Sequence, residues 1–119
     1  MATPAQPQHG LSTHVLNTSS GMPAAGMMVR CQILKGETWS DLHSASTDSD
    51  GRVKNFLGSG SLHAGQYRFT FQTGAWFAQK NIETFFPSVT IEFHVNDAAR
   101  HHHVPLLLSP FGYSTYRGS

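Results

Sequence analysis

Eight of the 119 residues are histidines, and two of them, His101 and His103, stand two apart in "HHHVPLLL". Imidazole titrates near neutrality, so one such ring can take a proton while another gives one. Residues two apart on a strand share a face, which sets His102 on the opposite side. The same pair could also bind zinc, but a tetrahedral site needs further ligands. The chain has no HExxH, no second cysteine and no suitably spaced carboxylate nearby, so the expectation is no metal. The plain alternative for His101 or His102 is an exposed polar strand end. His14, in "LSTHVLN", falls on an alternating stretch that begins a first strand. Alone it would be a hydrogen-bonded structural residue; it becomes chemical only if another ionisable group meets it in space.

Two other stretches carry groups suited to chemistry. In "TDSDGRV" the Asp50-Gly51 pair signals a hairpin turn, and the spacing and distal glutamate of a calcium loop are missing. Arg52 follows directly. It would ordinarily be solvated, but at a strand start facing a cleft its fork of donors could hold a planar, oxygen-rich ligand. The last residues, "YSTYRGS", set the phenol of Tyr116, the guanidinium of Arg117 and the hydroxyl of Ser119 close together. They finish an edge strand or form the lip of a site. A serine-hydrolase elbow of the form GxSxG is absent, and the glycines of "GSGSLHAG" lack the Lys-Ser/Thr of a phosphate cradle.

The elements that must position these groups alternate with a period of two. "YRFTFQT" puts Tyr67, Phe69 and Phe71 on one face, with Arg68, Thr70 and Gln72 on the other. "VTIEFHV" repeats the scheme with Val89, Ile91, Phe93 and Val95 inward, and "MVRCQIL" alternates around Val29, Cys31 and Ile33. Turn-forming runs such as "GMPAAG", "TDSDGR" and "FFPS" separate them, the punctuation of an antiparallel sandwich or barrel. One short helix is expected over residues 75–81, "AWFAQKN", held by packing of Trp76 and Phe77. Residues 1–10, rich in Pro, Gln, Gly and Ala, are expected to be a disordered lead-in before one domain over 11–119.

Composition excludes several classes of function. Eight Lys and Arg against seven Asp and Glu leave no field to capture nucleic acid or a lipid surface. Charged residues make up 13% of the chain, below the globular average of about 25%, which suits burial of surface in an oligomer. No stretch has the length of a membrane span and the first ten residues lack a secretory pattern, so the "NTS" sequon at Asn17 is expected to be inert. A single cysteine, Cys31, makes the fold independent of an oxidising compartment.

In their order and spacing, "LSTHVLN", "GMPAAGM", "TDSDGR", "FFPSVTI" and "HVPLLLSPFGYSTYRGS" resemble the 5-hydroxyisourate hydrolases, the transthyretin-related enzymes of purine breakdown. The resemblance spans residues 11–119, and its most specific mark is the terminal "YRGS", which hormone-carrying transthyretins lack. It implies an all-β, transthyretin-like sandwich of two four-stranded antiparallel sheets with one short helix. It also implies a homotetramer, a dimer of dimers with sites at the dimer–dimer interface, and ring-opening hydrolysis of 5-hydroxyisourate without a cofactor or metal. The functional positions carried over are His14, Arg52 and His103 as catalytic, with Tyr116, Arg117, Gly118 and Ser119 binding substrate. Which histidine is acid and which base stays open. The family's usual His-Tyr-His reads "HHH" in this chain, and Asn17, Met22 and Ser88 replace a frequent Asp, Arg and Glu. His102 is expected to touch strand packing rather than mechanism. Cytoplasm is the expected compartment, with the peroxisome as alternative although "RGS" is no peroxisomal address. A hormone carrier without catalysis is the competing reading.

Overall fold

The computed structural model describes residues 10–118, so the expected lead-in lies, apart from Gly10, outside the described residues, as does Ser119. In chain order the elements are β1 (Leu11–Asn17), β2 (Met22–Pro23), β3 (Met28–Lys35), β4 (Thr38–Ser46), β5 (Arg52–Val53), β6 (Gly65–Phe71), α1 (Thr73–Ala78), β7 (Val89–Val95), β8 (His102–Ser109) and β9 (Gly112–Thr115). The period-two runs become strands because alternate residues can then leave water together. Tyr67, Phe69 and Phe71 of β6, Val29 and Cys31 of β3, and Val89 and Val95 of β7 are all buried.

Two sheets stack face to face. One has the order β4-β3-β6-β7 and is antiparallel throughout, with a bulge between Cys31 and Gln32 where β3 meets β4. The other has the order β2-β1-β8-β9, and β5 also pairs with β1. β5 takes the Thr13–His14 end of β1 and β2 takes the Leu16–Asn17 end, so two short segments share one edge. The all-β, two-sheet sandwich is as the resemblance implies, with two corrections: β5 makes one of the expected four-stranded sheets five-stranded, and that sheet is not antiparallel throughout. β1 and β8 run parallel, Leu11 opposite His102 through Asn17 opposite Leu108. Both antiparallel sheets were expected, yet hairpins only dictate the direction of neighbours in sequence. β1 and β8 are joined through the whole second sheet, and a long crossover permits parallel pairing.

The helix also shifts. It was expected over 75–81 and runs over Thr73–Ala78. Its start is drawn back because the Thr73 hydroxyl donates to the Phe86 carbonyl and the Gly74 amide to that of Pro87. A Cβ on Gly74 would lie 2.5 Å from that Pro87 oxygen, so only glycine allows the approach. At the other end, Lys80 and Asn81 donate to carbonyls three residues back, and Asn81 adopts φ 58°, which stops the helix. Trp76 and Phe77 are buried as expected, and the Trp76 indole donates to the Ala25 carbonyl at 2.7 Å.

The core between the sheets is aromatic at its centre. Phe69 packs against Phe56, Phe71 and Phe93 with ring centroids 4.6, 6.1 and 5.0 Å away. Such contacts add to area burial. Cys31 is buried there too, and burial pushes its thiol up to about 12, so it behaves as a small apolar residue. Phe69→Ala should lower unfolding stability by about 3–5 kcal/mol, read as a lower urea midpoint with an unchanged slope.

Candidate functional site

Cross-strand register decides which side chains share a face. His14 of β1 lies opposite Arg52 of β5, and Ser12 of β1 lies opposite His103 of β8. Directly paired residues point the same way. Leu11, Thr13 and Val15 occupy the inner side of β1, so Ser12, His14, Arg52 and His103 gather on the outer face of this sheet. Four polar groups from three strands thus converge without any of them entering the core.

A cavity of about 260 Å³ opens on that face, lined among others by Ser12, Arg52, Lys54, His101 and His103. His14 sits beside it rather than in its wall, half-buried and near enough for its charge to act on His103. A second cavity of about 280 Å³ adjoins, and its lining includes Glu92, His102, His103, Tyr116 and Arg117. The sequence-predicted set is therefore divided, with His103 common to both hollows.

Arg52 owes its place to the turn before it. The carboxylate of Asp48 accepts from the amides of Asp50 and Arg52 at 2.9 and 3.0 Å, and its backbone amide donates to the Arg52 carbonyl. The Arg52 amide, first among these, holds the exposed Asp48 carboxyl below its ordinary range. Gly51 closes the turn at φ 77°, where a Cβ would lie 2.5 Å from the Val15 carbonyl. The one ion pair among the described residues joins Arg30 and Asp41, so no carboxylate takes up the Arg52 guanidinium.

His103 is held on three sides. Its Nδ1 lies 2.7 Å from Ser12 Oγ, and the same oxygen lies 2.7 Å from His101 Nε2. The chain's end is latched to it, since Gly118 donates its amide to the His103 carbonyl at 2.8 Å. A Cβ on Gly118 would stand 2.5 Å from Cδ2 of the imidazole, so the glycine lies flat against the ring. Burial first, then Arg52, His101 and His14, depress the pKa of His103. Burial likewise lowers His101, with His102 adding to it.

Ser12, His101 and Lys54 were not singled out as site residues by sequence. Ser12 had a usable signal, two residues from His14 and hence on its face. His101 was read as a face-mate of His103 with an exposed strand end as its plain alternative to a metal ligand, and it is exposed just before β8 while its Nε2 meets the Ser12 hydroxyl that His103 also meets. His102 corrects the exposed-end alternative. It is 5% exposed, and its Nδ1 donates to the Arg100 carbonyl at 2.9 Å. As expected it turns away from the Ser12 face. No group of three His, Cys, Asp or Glu side chains among the described residues is arranged to hold a metal ion. Both nitrogens of His101 are engaged by protein atoms, Nδ1 by the Gly10 amide at 3.1 Å.

Comparison with known proteins shows the family and the fold. A family model described as the HIUase/Transthyretin family matches residues 11–118. A 5-hydroxyisourate hydrolase of Salmonella typhimurium is 45% identical over 109 residues, 92% of this chain and 80% of the relative. The structure of Klebsiella pneumoniae 5-hydroxyisourate hydrolase is 42% identical, with TM-score 0.81 over 92% of this chain and 99% of that one. Sea bream transthyretin in complex with thyroxine gives TM-score 0.86 at 26% identity, covering 92% and 94% of the two chains.

Two outcomes test the site. Gly118→Ala should push the terminal segment off the imidazole and cost the latch hydrogen bond, on the order of 1 kcal/mol. Faster amide exchange at position 118 and a moved His103 ring resonance would show it. Stability should also fall in acid. His101, His102 and His103 all have folded pKa values below the ordinary 6.5, chiefly through burial. Below that value the unfolded chain takes up protons that the folded one resists, so this stabilisation is present above 6.5 and lost as pH falls through the folded values. The urea midpoint should drop between about pH 7.5 and about pH 5 and recover on return.

Proposed function

The chain belongs to the HIUase/Transthyretin family, and on that premise we propose that it hydrolyses 5-hydroxyisourate. The product would be 2-oxo-4-hydroxy-4-carboxy-5-ureidoimidazoline. The observation that carries this reading is the convergence of His103 and Arg52 in one polar cavity, with His14 beside them and the Gly118 amide latched to the His103 carbonyl. Curated relatives named 5-hydroxyisourate hydrolase occur in bacteria and in the mouse at 39–45% identity over most of the chain.

The reaction opens a cyclic amide. Water's oxygen bonds to the carbonyl carbon, the carbon–nitrogen bond breaks, and water's proton ends on the freed nitrogen. The chemistry needs a proton acceptor at the water, a donor at the nitrogen, and positive charge where the carbonyl oxygen becomes negative. His14 and His103 fill the first two roles. Burial holds the pKa of His103 below its ordinary value, and positioned proton transfer is worth roughly 10²- to 10⁴-fold. Arg52, without a carboxylate partner among the described residues, binds the substrate's oxygens and stabilises the developing anion. Tyr116 and Arg117, which line the neighbouring hollow, are proposed with Gly118 and Ser119 as the substrate-binding residues.

The assembly we propose is a homotetramer, a dimer of dimers. Its support is the outer face of the β2-β1-β8-β9 sheet, uncovered within the chain, together with exposed Phe111, Tyr113 and Tyr116 near the terminal strand. A second copy over that face would close a cavity that one chain leaves open. No helix among the described residues is long and apolar enough to cross a membrane; the compartment proposed is the cytoplasm, with the peroxisome as alternative.

The competing carrier reading draws on the backbone likeness to transthyretin. A cavity walled by an arginine, a lysine and two imidazoles speaks against an aromatic hormone as its occupant. Freshly prepared 5-hydroxyisourate should lose its absorbance much faster with this protein than without. His103→Ala should reduce that acceleration at least about 100-fold with the fold retained. Unaccelerated decay, combined with tight thyroxine binding, would select the carrier instead.

A further inference from the structure

Resting on the reading of His103 as a reacting group, a chain of hydrogen bonds behind it fixes where its proton lies. The chain begins at a backbone amide, whose direction is not negotiable. Gly10 N–H donates to His101 Nδ1 at 3.1 Å. That nitrogen therefore carries no proton, and the neutral ring holds its hydrogen on Nε2. His101 Nε2–H must then donate to Ser12 Oγ, 2.7 Å away. The hydroxyl has one hydrogen of its own, and the remaining contact of Oγ among the described residues is His103 Nδ1, also at 2.7 Å. If both rings donated to Oγ, its hydrogen would have no described partner in a place where Ser12 is 7% exposed. The satisfied arrangement has Ser12 Oγ–H donating to His103 Nδ1.

We infer that Ser12 and His101 are positioning residues that lock His103 as its Nε2–H tautomer, so that His103 meets the substrate as a proton donor and the accepting role falls to His14. The chain is a lock and not a conduit, because it ends on an amide that neither releases nor accepts a proton. It also makes a second proton on His103 unwelcome, since Nδ1–H would turn against the Ser12 hydroxyl. The two histidine labels, interchangeable by residue type, are thereby distinguished by what stands behind each ring. A serine is suited to the bridging position because its single oxygen can accept from one imidazole and donate to the next within a strand-to-strand spacing.

The experiment combines nitrogen NMR of histidine-labelled protein with turnover of 5-hydroxyisourate. In the wild type, His103 Nδ1 should show the shift of an unprotonated, hydrogen-bonded ring nitrogen and Nε2 that of an N–H. Ser12→Ala should mix the tautomers and lower kcat roughly 10- to 100-fold, the usual effect of removing an outer partner that orients a histidine, with KM little changed. Ser12→Thr keeps the hydroxyl and should restore both readouts. His101→Ala should mix the tautomers while Ser12 remains. A wild-type His103 protonated on Nδ1, or a Ser12→Ala protein with unchanged tautomer and kcat, would overturn the lock even if turnover is normal. A locked His103 in a protein that never accelerates hydroxyisourate decay would instead sink the proposed reaction and leave the lock standing.

Discussion

The parallel ladder between β1 and β8 brings together segments some ninety residues apart in sequence, and the proposed site exists only where it does. Seven residue pairs hold it, from Leu11 and His102 to Asn17 and Leu108. The inner side of both strands is committed to the core through Leu11, Val15, Val104, Leu106 and Leu108. A slip by one residue would turn those apolar side chains outward, and each buried aliphatic group is worth about 1.5–3 kcal/mol. Register is therefore set by the apolar side, and the chemistry on the other side is placed by it at no further cost. Ser12 meets His103, and His14 meets Arg52, because the core leaves them nowhere else to be.

What the ladder assembles is a cluster of basic groups with no carboxylate among the cavity's walls. Burial first, and then the Arg52 guanidinium, depress the pKa of His103, so its ring stays neutral more readily than a solvated histidine would. A neutral ring can still accept or donate a hydrogen bond, whereas two imidazoliums beside a guanidinium would repel one another. On the proposed reading, the fixed cation serves an anionic transition state and the adjustable groups serve proton movement. This division is the physical basis for assigning hydrolysis to a cavity that is polar rather than apolar.

The inner-facing half of the structure was legible in the sequence because burial writes itself as a period of two. Tyr67, Phe69, Phe71 and the β7 valines fell on the expected side, as did the opposition of His102 to His103. The parallel sense of β1 and β8 was not legible, since a strand's composition does not record its partner's direction. Nor were the helix limits, which depend on the Gly74–Pro87 approach across a loop rather than on helix propensity. His14, Arg52 and His103 came from the resemblance to a family. Ser12 and His101 act through contacts between segments 89 and 91 residues apart, a distance over which spacing rules say nothing.

The fold does not choose between catalyst and carrier, since the same sandwich superimposes on a thyroxine-bound transthyretin as well as on a hydrolase. The choice lies in details that cost the fold little. Gly118 illustrates it: the residue lies beyond the last strand, is not among the core residues, and must be glycine because the imidazole of His103 occupies the space a Cβ would need. A tail chosen for stability alone would have no reason to press against a half-buried histidine and donate to its carbonyl. A tail that must hold that ring still, while leaving its free nitrogen open to a ligand, has both reasons. Tyr116 and Arg117 of that segment line the second hollow, and the flat face of a glycine is what lets the chain stand so close to His103.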